Sequence, residues 1–358
     1  MLSKPLAIDA MGGDNAPMAV IAGARLALRE NPNLRFMFFG DEAAIEPILS
    51  KMKDLKDVSE IVHTAHAVSM DEKPSVALRK GRKSSMRLAI DAVRDGSACA
   101  IVSAGNTGAL MAMSKIVFRT LKGIERPAIT AFVPARTREE VVLLDMGANV
   151  DCTVEHLLQF AIMGDAYARV MLGLEQPKIG LLNVGSEELK GHGIVQGAHQ
   201  VLKERRLPID YYGFIEGNDI LDGTVDVVVT DGFTGNIALK TAEGTARLLY
   251  SSIKGAIDNS LQAKIGIWLA KGAFKKALRK FDPREHNGAI LLGLNGIAVK
   301  SHGSADAKSF SNAVLVAAKL VEQDINKKII EELAESDMTE APVASAVAEA
   351  AQSEQPIH

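Results

Sequence analysis

Val102-Ser103-Ala104-Gly105-Asn106-Thr107-Gly108-Ala109-Leu110 has an echo later in the same chain, Val229-Thr230-Asp231-Gly232-Phe233-Thr234-Gly235-Asn236-Ile237. Each copy follows a short apolar run, Ala98 to Val102 or Val225 to Val229, and leads into a helical pattern. The order is strand, tight Gly-x-Thr-Gly turn, helix N-terminus. A helix cannot satisfy its own first N–H groups, and its dipole is positive there, so such turns hold anions. Turn chemistry alone would account for one copy. Two in one open sheet could hold two charged parts of one substrate.

The rest of the chain follows the same rhythm. Apolar runs predict strands at 6–9, 35–40, 60–64, 98–103, 128–133, 141–145, 178–183, 211–215, 225–230 and 296–300. Helical periodicity lies between most of them, clearest at 153–172, 196–205, 236–252 and 306–328. That alternation predicts an α/β fold with a mostly parallel central sheet and flanking helices. One body, 1–330, is expected. The stretch 331–358, rich in Ala, Glu and Ser, is expected to be a disordered acidic tail.

With 358 residues, 47% of them hydrophobic, the chain can bury a large core. Aromatics are 4%, so that core is aliphatic, as in helix-covered parallel sheets. The net charge of −3 hides an asymmetry. No Lys or Arg follows Lys328, whereas Glu331, Glu332, Glu335, Asp337, Glu340, Glu349 and Glu354 are acidic; without those seven the remainder carries +4. Cys99 and Cys152 are the only cysteines, and two thiols without metal-ligand spacing fit a reducing cytosol. No apolar run reaches the ~20 residues of a spanning helix, and no signal-peptide core opens the chain. A cytoplasmic protein, soluble or peripherally attached to a membrane, is expected. The pairs His63/His66 and His192/His199 lack a carboxylate placed to complete a zinc site, so no metal is expected. Neither a cofactor nor a nucleic-acid partner is expected.

Ligands of open α/β sheets bind beyond the carboxyl ends of the strands. Five such ends combine Gly with Asp, Asn, Ser or Thr: Asp9 to Asp14, Ser103 to Gly108, Asp145 to Asn149, Asn183 to Glu187, and Thr230 to Asn236. Each alone is an ordinary turn. The expectation is that all five share one edge of one sheet and line a cleft. None matches a Walker or dinucleotide fingerprint. Lys190, flanked by Gly191 in the loop after Asn183, could reach a phosphate as a point charge or stand solvated.

Ala7-Ile8-Asp9-Ala10-Met11-Gly12-Gly13-Asp14, Lys83-Ser84-Ser85-Met86, Ser103 to Met111, Leu144-Asp145-Met146-Gly147-Ala148-Asn149 and Val229 to Asn236 closely resemble, in order, the motifs of the PlsX family. These phosphate acyltransferases convert acyl-(acyl carrier protein) and inorganic phosphate into acyl phosphate. The likeness runs from about Leu6 to the helix at Asp306. It implies a fold similar to isocitrate and isopropylmalate dehydrogenases and to phosphate acetyltransferase, usually as a homodimer. It also implies catalytic roles for Lys190 and Asn236. On that reading phosphate is the direct nucleophile, held by Lys190 and the Gly-x-Thr-Gly amides, and Asn236 positions it or stabilises the thioester oxyanion. The expected substrate and phosphate contacts are Asp9, Gly12, Gly13, Asp14, Ser103, Gly105, Asn106, Thr107, Gly108, Asn149, Gly232, Thr234 and Gly235. No acyl-enzyme is required, so Cys99 and Cys152 read as structural.

Two basic stretches remain. Arg79, Lys80, Arg82, Lys83 and Arg87 form a run without an acid. It is either a solvated helix face or a steering patch for the acidic acyl carrier protein. Between Asp258 and Asp282 there is no acid, while Lys264, Lys271, Lys275, Lys276, Arg279 and Lys280 are basic. Ile257, Leu261, Ile265 and Trp268 share one helical stripe; Phe274, Leu278 and Phe281 share another, with Gly272 between. A basic amphipathic helical pair at 255–282 could pack on the body or on a dimer partner. It could equally insert Trp268, Leu269 and Phe274 into an anionic membrane surface, with Lys275 and Lys276 over headgroups at about 1 kcal/mol each. The resemblance favours the membrane, because the family hands acyl phosphate to a membrane-bound glycerol-3-phosphate acyltransferase. The rival readings are a metal- and NAD-dependent dehydrogenase on a similar scaffold and a non-enzymatic membrane scaffold.

Overall fold

The computed structural model describes residues 2–336 except 206, 271, 273–281, 283 and 286. Its strands are β1 (Leu6–Asp9), β2 (Phe36–Gly40), β3 (Ser59–His63), β4 (Ala100–Ser103), β5 (Ala128–Pro134), β6 (Glu140–Leu144), β7 (Lys178–Leu182), β8 (Asp210–Ile215), β9 (Val227–Val229), β10 (Ala289–Leu292) and β11 (Ile297–Lys300). They form one 11-stranded sheet in the order β3-β2-β1-β4-β11-β10-β5-β6-β9-β7-β8. Strands such as β4 and β9 are buried on both faces, because helices cover the sheet from both sides. The fold is the α/β class that the alternation predicts.

The helices are α1 (Met18–Glu30), α2 (Glu42–Leu49), α3 (Lys53–Lys56), α4 (Pro74–Lys80), α5 (Ser85–Arg94), α6 (Thr107–Phe118), α7 (Val154–Leu172), α8 (Gly193–Glu204), α9 (Gly217–Asp222), α10 (Gly232–Asp258), α11 (Leu261–Leu269), α12 (Ala307–Glu322) and α13 (Ile325–Glu335). Helix α7 is the central one. Thr153 and His156 close its start in a reciprocal capping box, and Gly173 ends it in the left-handed conformation.

Strand direction decides where the chemistry goes. Strands β1, β2, β3, β4 and β11 are mutually parallel; β10 is antiparallel to both β11 and β5, so β5 runs with the first group. The β5–β6 pair is an antiparallel hairpin, and β9, β7 and β8 follow β6. Only residues 135–139 separate β5 from β6, far fewer than a parallel crossover needs. One register row runs through Ile8, Val102, Val299, Ile290, Thr130, Leu144, Val229 and Leu181. Asp9 and Ser103 leave that row toward one edge; Asp145 and Thr230 leave it toward the other. The expectation that all five glycine-bearing strand ends share one edge is therefore corrected. Those of β1 and β4 lie at one edge, those of β6, β7 and β9 at the other.

Three helix boundaries also differ. The run 306–328 is two helices, because Asp324 takes a left-handed conformation (φ 49°) between α12 and α13. Helix α13 continues to Glu335 with Leu333 buried, so order extends past the boundary expected at 330; the rest of the expected tail, 337–358, lies outside the described residues. Helix α10 starts at Gly232 and runs 27 residues, about 40 Å. It stops before Asn259, and Ser260 caps α11, so Ile257 and Leu261 belong to different helices. The second half of the expected basic pair, with Phe274, Lys275 and Lys276, is outside the described residues.

Helix α13 docks on α7 through two carboxyls that share one cation. Arg169 donates to Asp165 at 2.5 Å and lies 3.8 Å from Glu332. Burial, then the nearby Asp165 charge, pushes Glu332 up to about 8 from its ordinary 4.5. The folded chain thus holds an extra proton between those values, and stability falls as pH rises through them. Glu332→Gln is expected to melt a few degrees above the parent near pH 9 and together with it near pH 4, read by thermal denaturation.

Candidate active site

At the β1/β4 edge a buried carboxylate organises the loops. Asp9 accepts hydroxyls from Ser85 (2.6 Å) and Ser103 (2.7 Å), and burial raises its pKa against those bonds. Ser103 in turn accepts the Gly105 N–H at 3.0 Å. A side chain on Gly12 would begin 2.5 Å from Asp9 and 2.7 Å from the Gly105 nitrogen, so only glycine lets the two loops touch. Asn106 caps α6 by accepting the Ala109 N–H, and its amide donates to the carbonyls of Met70 and Glu72. Those bonds occupy its donors: Asn106 holds the 69–72 loop, and its expected role as an anion contact is not supported. Thr107 and Gly108 present first-turn N–H groups behind a neutral cap.

Sequence reading missed three residues here. Lys300 ends β11 beside Ser103 in the register and is only 9% exposed. Its ammonium donates to the carbonyls of Ser301 and Ala104, and burial lowers it to about 8 despite attraction from Asp9 and Asp14. His302 follows it; burial and then Lys300 lower its pKa. Lys240 of α10 lies close enough to shift both. A lysine closing an otherwise apolar strand was the available signal. Asp14 itself is exposed and anchored through its N–H to Gly303, while Gly13 adopts φ 99°.

The β6/β9 edge repeats the device with different donors. Asp145 is buried and accepts N–H bonds from Ile129, Gly147, Ala148 and Asn149, plus the Asn149 side chain. Burial raises its pKa, and those donors oppose the rise. Asn149 spends its side chain on Asp145 and Pro127, so it too is structural rather than a free contact. Gly235 packs so closely that a methyl there would begin 2.0 Å from the Asp145 carbonyl oxygen. Asp231 caps α10, taking both the N–H and the hydroxyl of Thr234, and Gly232 N–H goes to Asn149. This turn already carries an anion of its own, which weakens the expected phosphate contacts at Gly232, Thr234 and Gly235.

Asn236 is exposed, has no side-chain hydrogen bond among the described residues, and its amide nitrogen lies 3.5 Å from where a methyl on Gly147 would sit. Lys190 pairs with Glu187 at 3.0 Å and is half exposed. It leaves from β7, where Leu182 stands next to Thr230 of β9, so the two loops emerge together from neighbouring parallel strands. Burial pushes the Cys99 thiol up to about 11 and Cys152 up to about 12, which keeps both protonated near neutral pH. Among the described residues no group of His, Cys, Asp and Glu is arranged to hold a metal ion. Arg79 and Lys80 of α4 and Arg82 and Lys83 just after it are exposed and make no ion pair among the described residues. Pro74, the first residue of α4, would meet a methyl on Gly108 at 2.5 Å, so this patch adjoins the first turn.

Comparison with known proteins gives a consistent result. A family model described as "Fatty acid synthesis protein" matches residues 5–328. The phosphate acyltransferase of Rhodospirillum centenum is 56% identical over 329 residues, 92% of either chain. That of Paramagnetospirillum magneticum is 55% identical over 327 residues, 91% of this chain and 93% of the relative. A phosphotransacetylase structure from Streptococcus pyogenes superposes with a TM-score of 0.59 at 19% identity, covering 89% of this chain and 94% of that one, a likeness of fold.

Glycine position separates packing from freedom. Gly235→Ala is expected to cost about 1–3 kcal/mol or more in urea denaturation. Gly266→Ala on α11, with nothing within 4 Å, should be neutral or stabilising by up to about 1 kcal/mol.

Proposed function

The chain belongs to the PlsX family of phosphate acyltransferases, enzymes of fatty acid and phospholipid synthesis, and from that premise we propose that inorganic phosphate attacks the thioester of a long-chain acyl-(acyl carrier protein) directly. A phosphate oxygen forms the new bond to the acyl carbon. The carbon–sulfur bond breaks, and the thiolate leaves on the carrier and takes up a proton. Lys190 draws in the phosphate dianion, exchanging its exposed pairing with Glu187 for it. Asn236 donates its amide to the carbonyl oxygen as charge gathers there.

One observation carries this reading. Asn236 is a side-chain donor with no hydrogen bond among the described residues, at the start of a helix where the Gly232, Thr234 and Gly235 N–H groups are already bonded. A free donor at such a place is available to a developing oxyanion. The two cysteines support the direct route, since burial holds both as thiols. The dehydrogenase rival gains no support from the relatives, which are phosphate acyltransferases.

The carrier protein would dock on Arg79, Lys80, Arg82 and Lys83, whose unpaired charges lie beside the first turn. Helix α10 exposes Leu248, Leu249, Tyr250 and Ile253, and α11 exposes Leu261, Ile265, Trp268 and Leu269. No described helix is long and apolar enough to cross a membrane. That apolar surface fits a homodimer contact on α10 and peripheral attachment through α11 to an anionic membrane. There a membrane-bound glycerol-3-phosphate acyltransferase would receive the product.

Release of free carrier thiol from long-chain acyl-(acyl carrier protein) is expected to require added phosphate. Asn236→Ala should lower kcat by ~10²–10³, and replacement of both cysteines by Ala should leave turnover in place. Thiol release indifferent to phosphate, or lost in the folded double cysteine variant, would end the direct-attack reading. Flotation with anionic liposomes should carry the full chain upward at low salt, and Trp268→Asp with Leu269→Asp should leave it at the bottom.

A further inference from the structure

Residues 183–192, which carry Lys190 from β7 to α8, are neither strand nor helix, and Lys190 is half exposed. The turn itself supplies one backbone bond, from the Lys190 N–H to the Glu187 carbonyl at 3.0 Å. A point charge on such a loop loses force if the backbone beneath it wanders, because attraction falls with distance. Three consecutive carbonyls of this loop are nonetheless held by side chains. Gln196 donates its amide to Leu189 (2.9 Å) and to Gly191 (3.2 Å), and Asn183 donates to Lys190 itself (2.8 Å).

Both donors stand on fixed ground. Asn183 follows β7 and gives its N–H to the Ile215 carbonyl of β8 at 2.8 Å. Gln196 lies near the start of α8, its N–H on the His192 carbonyl, and the next two residues, Gly197 and Ala198, are buried. A side chain on Gly191 would begin 2.0 Å from Asn183 Oδ1, and Gly191 adopts φ 96°, so the loop bends tightly around the Asn183 amide. A methyl on the buried Gly185 would begin 2.7 Å from Lys190 Cδ, so the lysine stem rests on its own loop. The ion pairs Lys190–Glu187 and Lys203–Glu188 are more than half exposed on both sides and add little. The amides hold the backbone, and the charges are left loose.

We infer that Asn183 and Gln196 are positioning residues for the reaction, a two-sided amide clamp on the backbone at 189–191 that aims Lys190. The inference rests on the reading of Lys190 as the cation that draws in phosphate. With its backbone held, Lys190 exchanges Glu187 for phosphate by swinging its side chain alone. Only side-chain freedom is then lost when the anion arrives, and the ordering of the loop has already been met in the folded chain. Both amides are committed to these carbonyls, so each acts through Lys190 rather than on the reacting atoms.

Trypsin reads the clamp without turnover, because the bond it cuts after Lys190 begins at the carbonyl that Asn183 holds. In the full chain, Asn183→Ala and Gln196→Met should each speed release of the fragment ending at Lys190 by roughly threefold to tenfold, the effect of losing a hydrogen bond. Gln200→Ala on the same helix, whose amide bonds to Glu204, should leave that rate alone. In phosphate-dependent thiol release, both clamp variants should raise KM for phosphate by a similar factor with kcat nearly unchanged. In a Lys190→Ala background neither should raise it further, since the effect passes through the lysine. Cutting after Lys190 no faster in either variant, or a KM effect as large without Lys190 as with it, overturns the clamp. A KM raised by Lys190→Ala but by neither amide variant overturns the inference alone. A KM unmoved by Lys190→Ala overturns the reading of Lys190 and the inference with it. Gln196→Met, on a half-buried side chain of α8, decides by itself should Asn183→Ala fail to fold.

Discussion

Residues 135–139 turn the chain back on itself between β5 and β6, and the placement of every functional group follows from that reversal. A crossover helix needs a dozen or more residues, so the hairpin had to be antiparallel. Half of a single sheet thereby points one way and half the other. Loops after β1, β4 and β11 gather at one edge; loops after β6, β7 and β9 gather at the other. Helix α10 joins the two sets, starting at the second turn and carrying Lys240 toward Lys300 of the first.

Both edges solve the same problem of a buried carboxylate, and they solve it differently. Asp9 relies on two serine hydroxyls, Asp145 on four backbone N–H groups and one amide side chain. The backbone solution locks the Asp145 loop rigidly beneath Asn236, a place suited to aiming a donor. The hydroxyl solution leaves Asp9 within reach of Lys300. Two similar phrases of sequence thus become different electrostatic environments, one capped by an acid and one by an amide.

Helix α10 also explains the exposed apolar surface. Of its 27 residues only Gly232 and Gly235 are buried, so most of its length projects from the body. A helix of that length with Leu248, Leu249, Tyr250 and Ile253 uncovered is not stabilised by its own chain. Its start carries Asn236, and its far end carries that uncovered apolar surface.

The sequence by itself determined the α/β class, ten of the eleven strands, and the identity of the loops that matter, because apolar periodicity and glycine-polar turns are local properties. The strand Ala289–Leu292 escaped it: four residues between two glycine-bearing stretches carry no period of their own. The five-residue hairpin is legible through its length. What no local pattern could give is which donors remain free. Asn106 and Asn149 look like ligands in sequence and are consumed by the carbonyls of Met70, Glu72 and Pro127 and by the neighbouring Asp145 carboxylate, whereas Asn236 has no side-chain hydrogen bond among the described residues. Lys300 looks like the end of a strand and becomes a buried cation attracted by Asp9 and Asp14. Hydrogen-bond satisfaction and desolvation depend on neighbours that only the packed tertiary structure supplies.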